Sequence, residues 1–224
     1  RRVLFRSNAV DVFIIVSGFV ITLLVFRKNE CYRTFVIRRC IRIYPVFLIA
    51  IVLSLVLQFN ELMPVRYDYD NLWAHLLAHL TILFGLIPSG IVGSGSVILN
   101  PAWSISLEWQ FYLIAPILIG FLRRGTQGFV FLFILAFIGY RLILPNSDGF
   151  TGAFILSKIH LFWIGIISAY LYINYKNSPS LLVGWRIATM MLFLILPFKV
   201  SIAILVWALF FYAFIAAQKY MIIF

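Results

Sequence analysis

The chain has 224 residues, of which 64% are hydrophobic and 11% charged, with a formal net charge of +11. A soluble domain carries about 25% charged residues, so this composition excludes a water-soluble globular protein and predicts an all-α fold, a polytopic integral membrane helical bundle. The basic excess does not point to nucleic acid: a nucleic-acid reader spreads its cations over a solvated face, whereas here Lys and Arg gather at the ends of apolar runs.

A spanning helix needs about 20 mostly apolar residues, and about eight segments approach that length. They are residues 10–26, 41–59, 72–88, 102–122, 128–144, 152–173, 181–197 and 200–217. The connections are short and no internal repeat is visible, which predicts one helical membrane domain. Ahead of the first segment, Val3-Leu4-Phe5-Arg6-Ser7 has the look of a translated adapter, so residues 1–7 are expected to be a non-native leader. With no initiator Met and an apolar end at Phe224, the chain reads as a fragment.

In the first segment Asp11 and Gly18 are seven residues apart and share a helix face, with Ser17 beside the glycine. A carboxylate in a spanning helix is costly and usually faces a cavity or a partner inside the bundle. The alternative places Asp11 near the interface, solvated or capping, and gives Gly18 to close helix packing. Both readings stay open on residue chemistry.

Next come Arg27, Lys28, Arg33, Arg38, Arg39 and Arg42 against a single acid, Glu30. The positive-inside rule places this stretch in the cytoplasm. Cys31 and Cys40 therefore lie in a reducing compartment, where a disulfide is not expected, and neither has a nucleophile's histidine and acid close by in sequence. Arg38, Arg39 and Arg42, at spacings of three and four, are expected on one flank of a helix. Guanidinium forks suit the phosphate oxygens of a nucleotide or coenzyme arriving from this side; plain topology and lipid headgroup anchoring explain the same cluster. Pro45 is expected to kink the helix or to start its buried part.

Glu61, Asp68 and Asp70 outweigh Arg66, which places the second connection outside. Strict alternation would then put Arg123 and Arg124 outside, against their charge. Re-entry of residues 72–99, loosened by Gly90, Gly93 and Gly95, would resolve the conflict. His75 and His79, four apart, share a helix face, but two ligands with no acid between them do not make a metal site, and no metal is expected.

Asn100 and Pro101 form a helix start, after which Ser104, Glu108 and Tyr112 recur every four residues as a polar stripe on an apolar helix. Such a stripe can line a cavity in which Glu108 orients, or accepts a proton from, a hydroxyl substrate. It can equally be an interhelical hydrogen-bond set. Of the later polar residues, His160 with Lys158 can line a pocket but fits an interfacial position better, and Arg141 and Lys199 can snorkel to helix ends.

Three blocks in order carry a resemblance: Val10-Asp11-Val12-Phe13 with Ser17-Gly18-Phe19; Arg38-Arg39-Cys40-Ile41-Arg42-Ile43-Tyr44-Pro45; and Pro101-Ala102-Trp103-Ser104-Ile105-Ser106-Leu107-Glu108 with Phe111-Tyr112. Together they resemble the membrane-bound O-acyltransferases of acyltransferase family three, which modify cell-surface polysaccharides and O-antigens. The match covers about the first half of the chain; the second half matches only as a run of hydrophobic helices.

The resemblance implies a ten-helix domain, of which residues 8–224 would be a part, in a bacterial inner membrane. It implies acyl-CoA, commonly acetyl-CoA, as a cytoplasmic co-substrate and a glycan or lipid-linked saccharide as acceptor, with membrane lipids around the bundle. By the same resemblance Arg39 and Arg42, with Arg38 beside them, would hold the coenzyme. Glu108, Asp11 and Ser17 would fall in the catalytic motifs. The family's general-base histidine lies on a helix upstream of Val10, and the chain has no histidine before His75, so the chain is expected to lack that group and to be inactive alone. A proton- or cation-coupled transporter with Asp11 and Glu108 in its path is the rival from another class, and a non-catalytic membrane relative is the third reading.

Overall fold

The structure, a computed structural model, describes residues 2–28, 30–64, 72–87, 98–99, 102–143, 153–175 and 198–221. Among the described residues all regular structure is helical: α1 (Arg2–Arg27), α2 (Tyr32–Phe59), α3 (Leu72–Thr81), a 3-10 turn (Phe84–Leu86), α4 (Ala102–Leu122), α5 (Thr126–Ile138) running into a π-helical turn (Gly139–Ile143), α6 (Ile155–Tyr175) and α7 (Phe198–Met221). Four stretches are long and apolar enough to cross a membrane: Ala9–Arg27, Tyr32–Phe59, Ala102–Leu122 and Ile155–Ile173. The expected segment 181–197, Gly90, Gly93, Gly95 and the Asn100-Pro101 start lie outside the described residues.

The apolar surface fits a lipid solvent. On α2 the buried positions Phe35, Arg39, Phe47, Ile51, Ser54 and Gln58 follow helical spacing along one face, while Ile41, Val46 and Ile49 are 67%, 71% and 68% exposed. Soluble monomers rarely leave a contiguous apolar patch of such extent in water. In hydrocarbon the same face costs nothing, and the backbone polar groups are satisfied within the helix.

The chain divides into two compact units, residues 1–28 with 161–224 and residues 29–160, the boundary falling within α6. In the first unit α1 crosses the later turns of α6 where two glycines permit contact between backbones. A Cβ on Gly18 would lie 2.6 Å from the Phe162 carbonyl oxygen, and one on Gly165 would lie 2.1 Å from that of Ile15. Small residues at such a crossing are the usual means of close packing in membranes. Phe19 then meets Trp207 and Phe211 of α7 edge-on at 5.4 and 5.6 Å, and the Trp207 indole donates to Ser168 Oγ at 3.0 Å.

In the second unit α2 packs on α4, and α4 turns into α5 through Gly125, whose φ of +70° suits glycine. α2 extends back to Tyr32, so the arginine cluster lies inside the helix and Pro45 is accommodated in its interior. The helix ends in a Schellman motif: Leu62 N–H donates to the Leu57 carbonyl at 2.9 Å and Glu61 N–H to that of Gln58 at 3.1 Å, with Glu61 at a φ of +60°. The expected segment 72–88 is not one helix. α3 stops after 10 residues, about 15 Å and half a bilayer, because the backbone reverses at Ile82, whose φ is +56°.

Candidate active site

The packing of α2 on α4 places the polar residues of both helices. Tyr44 meets Trp109 edge-on at 5.7 Å, and the Tyr32 hydroxyl donates to the Leu113 carbonyl at 2.9 Å. Between these contacts the Arg39 side chain turns inward and is 9% exposed. Its guanidinium carbon lies 5.2 Å from the Tyr112 ring centroid and 5.4 Å from that of Phe35. Arg39 Nε is buried and has no hydrogen-bond partner. The Tyr112 hydroxyl donates to the Glu108 carboxylate one turn back on α4.

The three arginines therefore occupy different environments. Arg38 is exposed and paired with Glu30, Arg42 is exposed, and Arg39 alone is enclosed. Helical spacing put all three on one flank; the α4 surface admits only one of them. Of the expected Ser104, Glu108 and Tyr112 stripe, Glu108 and Tyr112 join directly and face Arg39.

A second polar pair on α4 lies deeper and was not singled out from sequence. Ser106 is fully buried and Gln110 is 3% exposed. The Ser106 hydroxyl donates to the Ile82 carbonyl at 2.7 Å and accepts from Gly85 N–H at 3.2 Å. Gln110 Nε2 donates to Ser106 Oγ at 3.2 Å and to the Ala153 carbonyl at 2.7 Å, while its Oε1 accepts from Ile155 N–H at 3.1 Å. One amide thus ties α4 to the reversal after α3 and to the first turn of α6. The signal was the same four-residue spacing, offset by two from the stripe. Ser54 and Gln58 act alike on α2, both donating to the Ile98 carbonyl.

Asp11 and Ser17 belong to the other unit, where they are 5% and 8% exposed. Gly18 serves helix packing, and the Thr22 hydroxyl donates to its carbonyl at 2.8 Å. Among the histidines, His160 is 4% exposed, edge-on to Tyr140 at 4.9 Å, with no partner on either ring nitrogen. His79 is 1% exposed, bonded through Nδ1 to the His75 carbonyl at 2.8 Å and stacked on Phe84 at 4.6 Å. Burial pushes the His79 imidazole down to about 4. No group of three His, Cys, Asp or Glu side chains able to hold a metal ion occurs among the described residues. Cys31 and Cys40 are free thiols.

Known proteins resemble the chain over much of its length. "Acyltransferase MdmB" of Streptomyces mycarofaciens is 30% identical over 118 residues, 53% of this chain and 30% of that protein. An uncharacterized protein of Haemophilus influenzae is 26% identical over 190 residues, 80% of this chain and 73% of that protein. A Staphylococcus aureus protein assigned provisionally by its name to the O-acetyltransferases is 24% identical over 209 residues, 80% of this chain and 32% of that protein. The chain thus spans about a third of the length of two of these three relatives. No solved structure matches. The family described as "Acyltransferase domain" matches residues 2–224, nearly the whole chain, and the chain therefore belongs to acyltransferase family three, a family of membrane acyltransferases.

Proposed function

We propose that the protein to which this chain belongs is a multi-pass enzyme of the bacterial inner membrane. It transfers an acyl group, commonly acetyl, from cytoplasmic acyl-CoA to a hydroxyl of a cell-envelope glycan or lipid-linked saccharide. The observation that carries this reading is the enclosed Arg39, whose unpartnered Nε and two aromatic neighbours sit beside the Tyr112–Glu108 pair. A headgroup anchor would keep its guanidinium exposed, as those of Arg38 and Arg42 are. A guanidinium turned into a helix contact, with a donor left over, is arranged to receive an anion.

In this reading Arg42 and Arg38 meet the coenzyme phosphates at the surface and Arg39 holds the innermost anionic group. The acceptor oxygen attacks the thioester carbonyl, an oxygen–carbon bond forms, the carbon–sulfur bond breaks, and coenzyme A leaves as the thiol with the proton lost by the hydroxyl. Glu108, fixed by Tyr112, orients the acceptor or the base that takes that proton.

The test measures acetyl-CoA affinity and the formation of alkali-labile acetyl esters in membranes carrying the full-length protein to which this chain belongs. A hydrogen bond to a charged group contributes about 1.5–3 kcal/mol, so Arg39→Ala should weaken acetyl-CoA binding by about tenfold or more. Arg124→Ala, at an exposed cation outside the cluster, should change it by less than about threefold. Equal small losses in both variants would reduce the cluster to a topology signal.

A further inference from the structure

The end of α3 carries a buried imidazole that the acyl-transfer reading above does not use. His79 Nδ1 is bonded to the His75 carbonyl. A carbonyl only accepts, so Nδ1 carries the proton and Nε2 is a bare lone pair. On the imidazole ring that lone pair points away from the α3 backbone, and Phe84 covers one face of the ring. Nε2 is buried and has no partner.

The surroundings make this atom an exception. Within the same cluster the Thr81 hydroxyl donates to the Ala78 carbonyl at 2.9 Å. Ser106 has one acceptor and two donors in place, and both ends of the Gln110 amide are bonded. Buried polar groups are almost always satisfied, and an unmet acceptor costs about 1–3 kcal/mol. The backbone beside it carries a cost of its own, because Ile82 is a β-branched residue at a φ of +56° and is fully buried. The Ser106 bond to the Ile82 carbonyl holds that reversal in place.

The position relative to the arginine site is fixed by α4. Ser106, bonded to the Ile82 reversal, and Tyr112, stacked on Arg39, are six residues apart on one helix, about 9 Å along its axis.

We propose that His79 Nε2 is the hydrogen-bond acceptor for the hydroxyl of the acyl acceptor, making the α3 reversal the acceptor subsite of the transferase. This inference rests on the acyl-transfer reading and names the chemistry it leaves open: a neutral, hydroxyl-bearing substrate met by an uncharged imidazole. With its pKa at about 4, His79 holds the hydroxyl without taking its proton; a general base works best nearer the operating pH. His79 is a positioning residue for the substrate oxygen.

The experiment uses membranes carrying the full-length protein to which this chain belongs, with radiolabelled acetyl-CoA and alkali-labile acetyl esters as the readout. His79→Phe keeps the ring stacked on Phe84 and removes the lone pair. It should lower transfer at saturating acetyl-CoA by about tenfold or more while leaving the acetyl-CoA KM unchanged. His79→Gln, which can again present an acceptor, should restore most of the rate. Full transfer by His79→Phe overturns the assignment alone. No ester formation by the unsubstituted full-length protein overturns the acyl-transfer function and this assignment with it. A variant-free reading is available because the chain has 3 histidines: in 15N-histidine-labelled protein, the His79 Nε2 resonance should move upfield on addition of methyl glucoside. An unmoved resonance overturns the assignment even where His79→Phe fails to accumulate.

Discussion

Arg39 of α2 and Tyr112 of α4 form a cation–π contact, 5.2 Å from guanidinium carbon to ring centroid, and the same tyrosine donates its hydroxyl to Glu108. One side chain thus bears on both the cation proposed to hold the donor and the carboxylate proposed to act on the acceptor. Its ring and its hydroxyl can be separated by substitution.

Tyr112→Phe keeps the ring under Arg39 and removes the bond to Glu108. In the transferase assay the expected result is a lower kcat with the acetyl-CoA KM unchanged. Tyr112→Leu removes the ring as well; desolvated cation–π contacts are worth about 2 kcal/mol, so the acetyl-CoA KM should rise by about tenfold or more. If both variants give the same split of KM and kcat, the two interactions are not independent and the tyrosine acts only as packing.

The glycines test the helix crossing in the first unit. Gly165→Ala would bring a Cβ to 2.1 Å from the Ile15 carbonyl oxygen and 2.7 Å from Phe19 N, both backbone atoms of α1. Neither can swing away, so α1 must be pushed off, at a cost of about 1–3 kcal/mol or more. Gly120, by contrast, has nothing within 4 Å of the position a Cβ would take. Gly120→Ala should stabilise α4 by about 0.5–1 kcal/mol through backbone entropy. Thermal unfolding in detergent should move down for Gly165→Ala and level or upward for Gly120→Ala; a fall of equal size in both would remove close packing as the cause.

Much of this was legible in the sequence where a single physical signal dominated. The segment 102–122 coincides with α4 because an apolar run of bilayer length carries one continuous helix. α2 begins at Tyr32 and not at residue 41 because apolar length marks a membrane boundary, whereas arginine is a good helix former and carries the helix back through the charged turn. The break at Ile82 had no signal: reversals are expected at glycine or asparagine, and here tertiary bonds from Ser106 hold an isoleucine in that conformation. At the site, helical spacing grouped Arg38, Arg39 and Arg42, but which one is enclosed depends on the face that α4 presents. The Glu108–Tyr112 pair was legible for the opposite reason, since both partners lie on one helix at a spacing that guarantees contact.

His79 gives the protein a pH dependence with a defined sign. Burial lowers its folded-state pKa to about 4, against an ordinary value of 6.5. Between those values the unfolded chain binds a proton that the folded chain excludes, so stability falls as pH drops from about 6.5 toward 4. His75, on the same helix face, is lowered by burial in the same direction. Melting temperatures in detergent should fall between pH 7 and pH 5 for the unsubstituted chain. The slope should be shallower in His79→Gln; equal slopes would mean that the imidazole takes up its proton in the folded state.

Gln110 is the residue whose loss should cost most in the second unit. Gln110→Leu keeps the approximate volume but strips the Ala153 carbonyl of its donor and the Ile155 N–H of its acceptor. Each buried group left unpaired costs about 1–3 kcal/mol. The two losses fall at the start of α6, where helix-end groups already lack intrahelical partners. Gln110→Glu discriminates between the two bonds. A carboxylate can still accept from Ile155 N–H but cannot donate to Ala153, and it places a charge where the residue is 3% exposed, a cost that a single N–H does not offset. Hydrogen exchange at the Ile155 amide should rise sharply in Gln110→Leu. In Gln110→Glu the amide should stay protected while the melting temperature falls. Protection kept in the leucine variant would show that the amide has a second acceptor and that Gln110 does not hold the first turn of α6.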